Sequence, residues 1–588
     1  MSTELSPLER KRHTLAHLLA KAVLNRFPHA KPTLGPVVEN GFYYDFDFGN
    51  EATPGEEDLP LLTADMQQLL SKWKFVTSET VTATDARGLF RENEYKCEII
   101  DEIEAAKEPI TLYTIGEDEA AFTDLCRGGH TENPAEEIDS EAFELSAISG
   151  AYWRGDEERP MLTRIYGVAF DTPAELEQYQ TRQTEAKARD HRKLGKELDL
   201  FTFSDLVGPG LPLFTPKGTL VRQLITDRIS TIQSQYGYQA VTIPHITKSD
   251  LYKTSGHWEK FGDELFKVRG ASETEFVMKP MNCPHHTQIF ASQPRSYREL
   301  PIRYAENTMV YRDEQHGELL GLSRVRAITQ DDGHVFCTED QIEDEVRTIT
   351  DVIKTFYTSL GMYDAKTCWV SLSVRDPENP QDYLGEPTTW DRAESVLETV
   401  ADSLDLPYKR IVGEAAFYGP KLDFMFADAL GRERQLATAQ LDFVMPSRFD
   451  LQYTASDGSK QHPVMIHRAI AGSLERFMAI MIEHFAGAFP LWLSPEQLRI
   501  IPIAEAHQEF AKTQAAALKA VGLRVSIDDS KESLGKRIRQ TKQEKLPYVI
   551  VIGDKECESG VLTVEGREAS HTLTTEELIT TLKTELEF

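Results

Sequence analysis

The chain has no apolar run approaching the ~18 residues of a membrane-spanning helix, so nothing in its 588 residues predicts a bilayer segment. Its first residues, MSTELSPLERKRH, lack the apolar core of a secretory leader, and a cytoplasmic location is expected. Cysteine is sparse. The six (Cys97, Cys126, Cys283, Cys337, Cys368, Cys557) include no C-x-x-C pair, which argues against a disulfide framework and for free thiols, one or two of them available as ligands or functional groups. Positive charge is short as well: 64 Lys and Arg against 95 Asp and Glu leave a net charge of −31, a balance that by itself disfavours a polyanionic partner. Averages hide patches, and KARDHRKLGK (187–196) and KRIRQTKQEK (536–545) are locally basic, although such runs are more often solvated helix faces. The rest, 40% apolar and 27% charged, is ordinary for a globular protein, and the length implies about three or four domains.

Leu15, Leu18, Leu19, Ala22 and Val23 recur at helical spacing and predict a helix over residues 12–26, with His13 and His17 one turn apart on the same face. Asn40-Gly41 reads as a hairpin turn. Farther on, FTDLCRGGH supplies Asp124, Cys126 and His130 in a glycine-containing loop. Two His with a Cys and a His can bind zinc or can build a site for ester hydrolysis with His as base, and spacing does not choose between them. Residues 172–196 suit one long polar helix between domains, and the Gly/Pro-rich FTFSDLVGPGLPLFTPKG marks a boundary near Leu200. An amphipathic helix (Leu220, Leu224, Ile225, Ile229, Ile232) and a strand, YQAVTIP, follow. FVMKPMNCPHHTQIF reads as strand, turn and helix, and VMIHRAIAGSLERFMAIMIEHF as a strand turning through Gly472 into an apolar helix. The last ninety-odd residues alternate strand and helix as an α/β domain without a glycine-rich phosphate loop.

The densest chemistry lies in residues 303–336, RYAENTMVYRDEQHGELLGLSRVRAITQDDGHVF, which predict strand, polar loop and strand. Arginines at two heights on such a hairpin suit bidentate contacts to phosphates, and Arg476, just after a glycine at a helix start, can reach the same ligand.

Together these motifs resemble the bacterial threonyl-tRNA synthetases over essentially the whole chain. The three class II motifs are similar to the helix and strand ending at Pro244, the YRDE hairpin (311–336) and GSLER (472–476). MNCP, TQDDGHVF and VMIHRAI, with H-x-x-x-H and C-x-x-x-H in front, narrow the resemblance to threonine. It implies an α+β multidomain protein: an editing domain (1–170), a linker helix (171–199), a class II catalytic domain on an antiparallel sheet (200–494) and an α/β anticodon-binding domain (495–588). It also implies zinc on Cys283, His334 and His467, a set with a position left open for threonine's amino and hydroxyl groups, where valine offers only a methyl. Asp332 would accept the hydroxyl proton, with Gln330 and Tyr418 on the amino side. For ATP with Mg2+, the resemblance assigns Arg312 to the α-phosphate, Arg324 and Arg476 to the outer phosphates and Glu314 to the adenine amino group, with Ile328 and Gln435 beside them. His257, Lys421 and Gln440 are implied in transfer to tRNA(Thr). Serine carries the same amino and hydroxyl pair, and one missing methyl is worth only ~1–3 kcal/mol. A second, hydrolytic site is therefore expected, metal-free, on His13, His17, Lys96, Asp124, Cys126 and His130. A homodimer is implied too.

Departures from the family pattern are specific. The usual N-terminal ubiquitin-like domain has no room before His13, and Ile328 stands where an aromatic residue stacks on adenine. Glu565 replaces an arginine and Lys531 an asparagine in the last domain, which predicts altered anticodon recognition although Glu556 remains. Two other readings stay open: an inactive RNA-binding or regulatory paralogue, and a protein that is mainly an editing hydrolase.

Overall fold

Residues 303–336 fold as strand, loop and strand, and the largest sheet is built around them. The structure, a computed structural model, describes residues 5–271, 274–404 and 406–586. The chain divides into two units, Met1–Thr184 and Glu185–Phe588. Among the described residues no helix is long and apolar enough to cross a membrane.

In the first unit the helix runs Pro7–Arg26, starting earlier than its apolar spacing indicates because Ser6 and Glu9 form a reciprocal capping box. The expected apolar positions are buried, in one core with the strand Gly41–Asp47 of a five-stranded antiparallel sheet. The hairpin turn is Glu39-Asn40 rather than Asn40-Gly41: Val38 pairs with Gly41, which is already in the strand. A Cβ on Gly41 would lie 1.9 Å from the Gly167 carbonyl oxygen, so glycine is required by the close approach of the neighbouring strand. A second, three-stranded sheet (Val76–Val81, Ile110–Ile115, Phe122–Leu125) carries Asp124. The polar helix expected over 172–196 is two helices, Pro173–Arg189 and His191–Glu197. Asp190 breaks it by leaving helical ψ and capping the second helix through the Arg192 amide.

The second unit contains an eight-stranded sheet: β1 (Gln239–Ala240), β2 (Ile302–Tyr311), β3 (Ala327–Cys337), β4 (Trp369–Val374), β5 (Tyr408–Val412), β6 (Lys421–Ala427), β7 (Glu433–Asp442) and β8 (Val464–Ser473). Their order is β1-β2-β3-β8-β7-β6-β4-β5, antiparallel except for a parallel pair at each edge. The strand expected from YQAVTIP is only the two residues of β1. Helix α1 (Pro216–Gln235) supplies the predicted amphipathic stripe, α2 (Cys283–Ala291) follows the MNCP turn, and α3 (Leu474–His484) begins where β8 turns through Gly472, at φ +62°. The C-terminal strands and helices alternate as expected on a five-stranded sheet, with an additional helix Asp554–Ser559 that Glu556 caps.

One row crosses four strands in register: His334 of β3 opposite His467 of β8, then Gln440 of β7, then Lys421 of β6. These side chains share a face. Their neighbours Val335, Ile466 and Leu441 alternate to the other face, in the core with Ile225, Ile349 and Phe477. Beyond His334 the register breaks, since Asp331 pairs with Gly472 but Gly333 with Arg468, and three residues of β8 oppose one of β3. The displaced amides of Ile470 and Ala471 donate to Asp331 Oδ2 at 2.7 and 3.0 Å, and Arg468 Nη1 and Gln233 Nε2 reach Oδ1 at 2.9 and 3.1 Å. Because the Asp331–Arg468 pair is fully buried, Asp331→Ala is expected to destabilise the second unit by ~3–5 kcal/mol. Thermal unfolding of the full chain checks this, and an unchanged midpoint would show the bulge holding itself.

Candidate active sites

The row of His334 and His467 meets Cys283, the first residue of α2, and one donor atom from each lies within 4.8 Å of the others, all three residues buried. His334 Nε2 and His467 Nδ1 are 3.1 Å apart. Their outer nitrogens are engaged. Asp442, whose Oδ1 already accepts the Val444 and Met445 amides, takes a hydrogen bond from His467 Nε2 at 2.9 Å. His334 Nδ1 lies 2.7 Å from His286 Nδ1, and His286 Nε2 lies 3.6 Å from Glu306. Asp442 holds the His467 proton on Nε2, so its Nδ1 presents a lone pair, and His334 Nε2 does the same when Nδ1 donates to His286. Two lone pairs 3.1 Å apart are reconciled by a cation between them, and the spacing approaches the ~3.3 Å edge of a zinc tetrahedron built from usual Zn–N bonds. Burial pushes the Cys283 thiol up and His334 down. A bound cation reverses the effect on the thiol.

These donors line a cavity of about 450 Å³ together with Gln330, Asp332, Tyr418, Lys421 and Gln440. Asn282 donates to Asp332 Oδ2 at 2.9 Å, and burial raises the Asp332 carboxyl. The Tyr418 ring stacks on His467 while its hydroxyl donates to Gln440 at 2.6 Å. Lys421 pairs with Asp423 at 2.6 Å. His257 does not line this cavity: it is fully buried, with Nδ1 2.8 Å from the Ser255 hydroxyl and Nε2 3.8 Å from Cys283 Sγ, and burial pulls it down to about 3.

A second cavity, of about 470 Å³, is lined by Arg312, Glu314, Arg324, Ile328, Gln435 and Arg476. Arg312, Gln330 and Gly472 line both cavities, so the two meet. Arg324 is held by Glu314 at 2.7 Å and Glu318 at 3.0 Å, whereas Arg312 and Arg476 form no ion pair among the described residues. Ile328 packs against Val310 and Val325. Ser473 caps α3 by accepting the Arg476 amide at 3.2 Å, so the positive end of that helix opens on the cavity.

In the first unit, His13, His17, Cys126 and His130 bring donor atoms within 4.8 Å of one another. Gly128 and Gly129, at φ +93° and +86°, fold the C-R-G-G-H loop back so that Cys126 and His130 face the helical pair. Beside them Lys96 Nζ lies 2.5 Å from Asp124 Oδ1 and 3.2 Å from the Tyr44 hydroxyl, which donates to Asp124 Oδ2. Burial pulls His130 down to about 2 and lowers His13 and His17, and it pushes Cys126 up to about 12, so the site holds neutral imidazoles and a thiol. Sequence reasoning missed Tyr44, Asp331, His286, Glu306, Asp423 and Asp442. The only signals for them were local: the second Tyr of FYYD, the doubled Asp of TQDDG and the doubled His of CPHH.

Residues 266–485 match the tRNA synthetase class II core domain (G, H, P, S and T), and residues 497–585 match the anticodon binding domain. The threonine–tRNA ligase of Gloeobacter violaceus is 48% identical over 98% of this chain and 92% of its own length. The chain belongs to the threonyl-tRNA synthetase family. The threonine–tRNA ligase of Synechococcus elongatus is 47% identical over 96% of the chain and 93% of its own length. A crystal structure of the RNA-binding domain of the Cryptosporidium parvum threonyl-tRNA synthetase superposes with a TM-score of 0.64 at 38% identity, covering 67% of this chain and 98% of that one. The class II core match spans strands β2 to β8 of the large sheet.

If Asp442 and the His286–Glu306 pair orient the ring nitrogens, Asp442→Ala and His286→Ala should each weaken Zn2+ binding by ~10–100-fold. Competition with a chromogenic chelator measures this, and wild-type affinity in both variants would refute the orientation.

Proposed function

We propose that the two joined cavities carry out threonine–tRNA ligation, the activity of the family: threonine and ATP give threonyl-adenylate and pyrophosphate, and the threonyl group then passes to tRNA(Thr). The observation that carries this is the shared wall, because Arg312 and Gln330 stand where an amino acid in one cavity meets a nucleotide in the other. Residues 200–494 act as the catalytic domain, 495–588 as the anticodon-binding domain, and 1–170 as an editing domain joined by 171–199.

Cys283, His334 and His467 would hold Zn2+, which when bound supplies a Lewis acid with a position open to the substrate's amino and hydroxyl groups. Asp332, fixed by Asn282, accepts the threonine hydroxyl proton, and Gln330 and Tyr418 orient the amino group. Attack of the carboxylate on the α-phosphorus gathers negative charge before the bond to pyrophosphate breaks. Arg312 is positioned for that charge and Arg476 for the outer phosphates, with Mg2+ sharing the load. Neither arginine has to give up an ion pair. Arg324 does: turning to the phosphates releases Glu314, whose carboxylate becomes available to the adenine amino group, so one exchange prepares both contacts. In transfer, Lys421 and Gln440 face the tRNA ribose, and His257 needs a movement of its segment to reach the 2′-hydroxyl.

The editing domain hydrolyses seryl-tRNA(Thr). A neutral imidazole among His13, His17 and His130 takes the proton of the attacking water, Lys96, Asp124 and Tyr44 orient the ester, and Cys126 lines the site, with no metal required. The chain works in the cytoplasm as a homodimer through α1 and β1, a pairing supported by the similarity of those elements to the first class II motif.

Cys283→Ser should lose Zn2+ and reduce threonine-dependent ATP–pyrophosphate exchange by more than ~100-fold, beyond the effect of an outer-shell change, while hydrolysis of seryl-tRNA(Thr) persists. Zinc content, exchange with threonine, serine and valine, and deacylation on one preparation check this. Background exchange in the wild type would favour an inactive paralogue or an editing hydrolase, and equal loss of both activities in the variant would refute two separate sites.

A further inference from the structure

We propose that His191 is a positioning residue for ATP, holding the loop that carries Arg324 through the Leu322 amide. The inference rests on the reading of the Arg312–Arg476 cavity as the ATP site. His191 opens the helix His191–Glu197 and is 3% exposed. Its Nε2 accepts the Leu322 amide at 3.1 Å, and its Nδ1 lies 2.8 Å from Glu483 Oε1 on α3. An amide N–H can only donate, so the lone pair on Nε2 is used and the ring proton sits on Nδ1, donating to the carboxylate. The imidazole is thereby committed at both ends, to the loop between β2 and β3 and to the helix whose first turn carries Arg476. Arg189 docks on the same helix, donating to the His484 carbonyl at 3.1 Å. The contact is built from the loop side too: Gly321, at φ +50°, has no room for a side chain, because a Cβ there would lie 2.3 Å from His191 Nε2.

What this bond fixes is Arg324. Leu320 and Arg324 bridge across a tight turn, each amide donating to the other's carbonyl at 3.2 and 3.3 Å, and Leu322 is the middle of that turn. On the return, the Arg326 amide donates to the Gly210 carbonyl at 2.8 Å and its guanidinium to the Glu314 carbonyl at 2.9 Å. The Arg324 backbone is therefore pinned on either side, at Leu322 and at Arg326. Its side chain is left to swing from Glu314 and Glu318 to the outer phosphates. Leu322 is fully buried, so removing His191 leaves its amide without a partner unless the turn moves outward to water. Only the fraction of chains with the turn in place then binds ATP at full strength, and the apparent affinity falls with that fraction. None of residues 313–326 lines the cavity of Cys283, His334 and His467, so threonine binding keeps its geometry.

The test uses the full-length chain with His191→Ala, His191→Asn, His191→Gln and, from the loop side, Gly321→Ala. An asparagine amide stands where Nδ1 does and keeps the bond to Glu483, whereas a glutamine amide oxygen reaches the place of Nε2 and keeps the bond to Leu322. In threonine-dependent ATP–pyrophosphate exchange, His191→Ala, His191→Asn and Gly321→Ala should raise KM for ATP ~10-fold with KM for threonine unchanged, and His191→Gln should stay within about threefold of wild type. Amide hydrogen exchange over residues 317–326 should quicken in the first three variants and not in the glutamine one. A wild-type KM for ATP in both His191→Ala and Gly321→Ala would overturn the anchor, as would equal rises for ATP and threonine, or the same loss in His191→Gln as in His191→Asn. If the wild type catalyses no exchange, the ligation reading falls, and ATP affinity from equilibrium dialysis with the same variants still decides the anchor.

Discussion

The catalytic sheet depends on how Asp331 closes a break in its own register. Three residues of β8 must pass one of β3, and the amides this displaces would be buried without partners. One carboxylate takes two of them and a buried guanidinium as well. On one side of the bulge the ladder is in step for His334 and His467; on the other it carries Gln330 and Gly472 to the wall the two cavities share. The offset thus fixes the spacing between the His334–His467 row and the wall that the two cavities share.

Much of this was legible in the sequence where periodicity or turn chemistry acts locally. The helix over 12–26, the 303–336 hairpin and the turn at Gly472 follow from residue spacing, whereas the helix's start at Pro7 comes from the Ser6–Glu9 cap. The cavity residues were legible through family motifs, and all six expected around ATP line one cavity. What escaped depends on register. Asp331 and Asp332 are adjacent and alternate to opposite sides, and no local signal says which meets the core. Tyr44 joins Lys96 and Asp124 from 52 and 80 residues away. The break at Asp190 was missed because a capping aspartate and a helix-interior aspartate look alike in a polar run. His257 was assigned by motif, yet its burial is a tertiary fact.

The two His/Cys clusters are built from the same kinds of side chain in different surroundings. In the second unit the Asp442 carboxylate prepares His467, the His286 imidazole abuts His334, and the donor set stops at three. In the first unit the Thr14 hydroxyl abuts His130, an ion pair lies alongside, and the donors number four. Net acidity does not reach these cavity walls: among the described residues Arg312 and Arg476 form no ion pair, while many of the chain's acids are spent on other arginines.

The mounting of α2 carries a mechanical meaning. Its body is attached to the sheet by Phe290, stacked on Phe336 of β3 at 4.6 Å, whereas its first residue is Cys283. Two donors are rigid parts of the sheet and the third is the tip of a short lever hinged on an aromatic pair. A metal drawn into that set would act as a rivet, locking the lever against the sheet, and the wall of the cavity these donors line would be as firm as the coordination bonds.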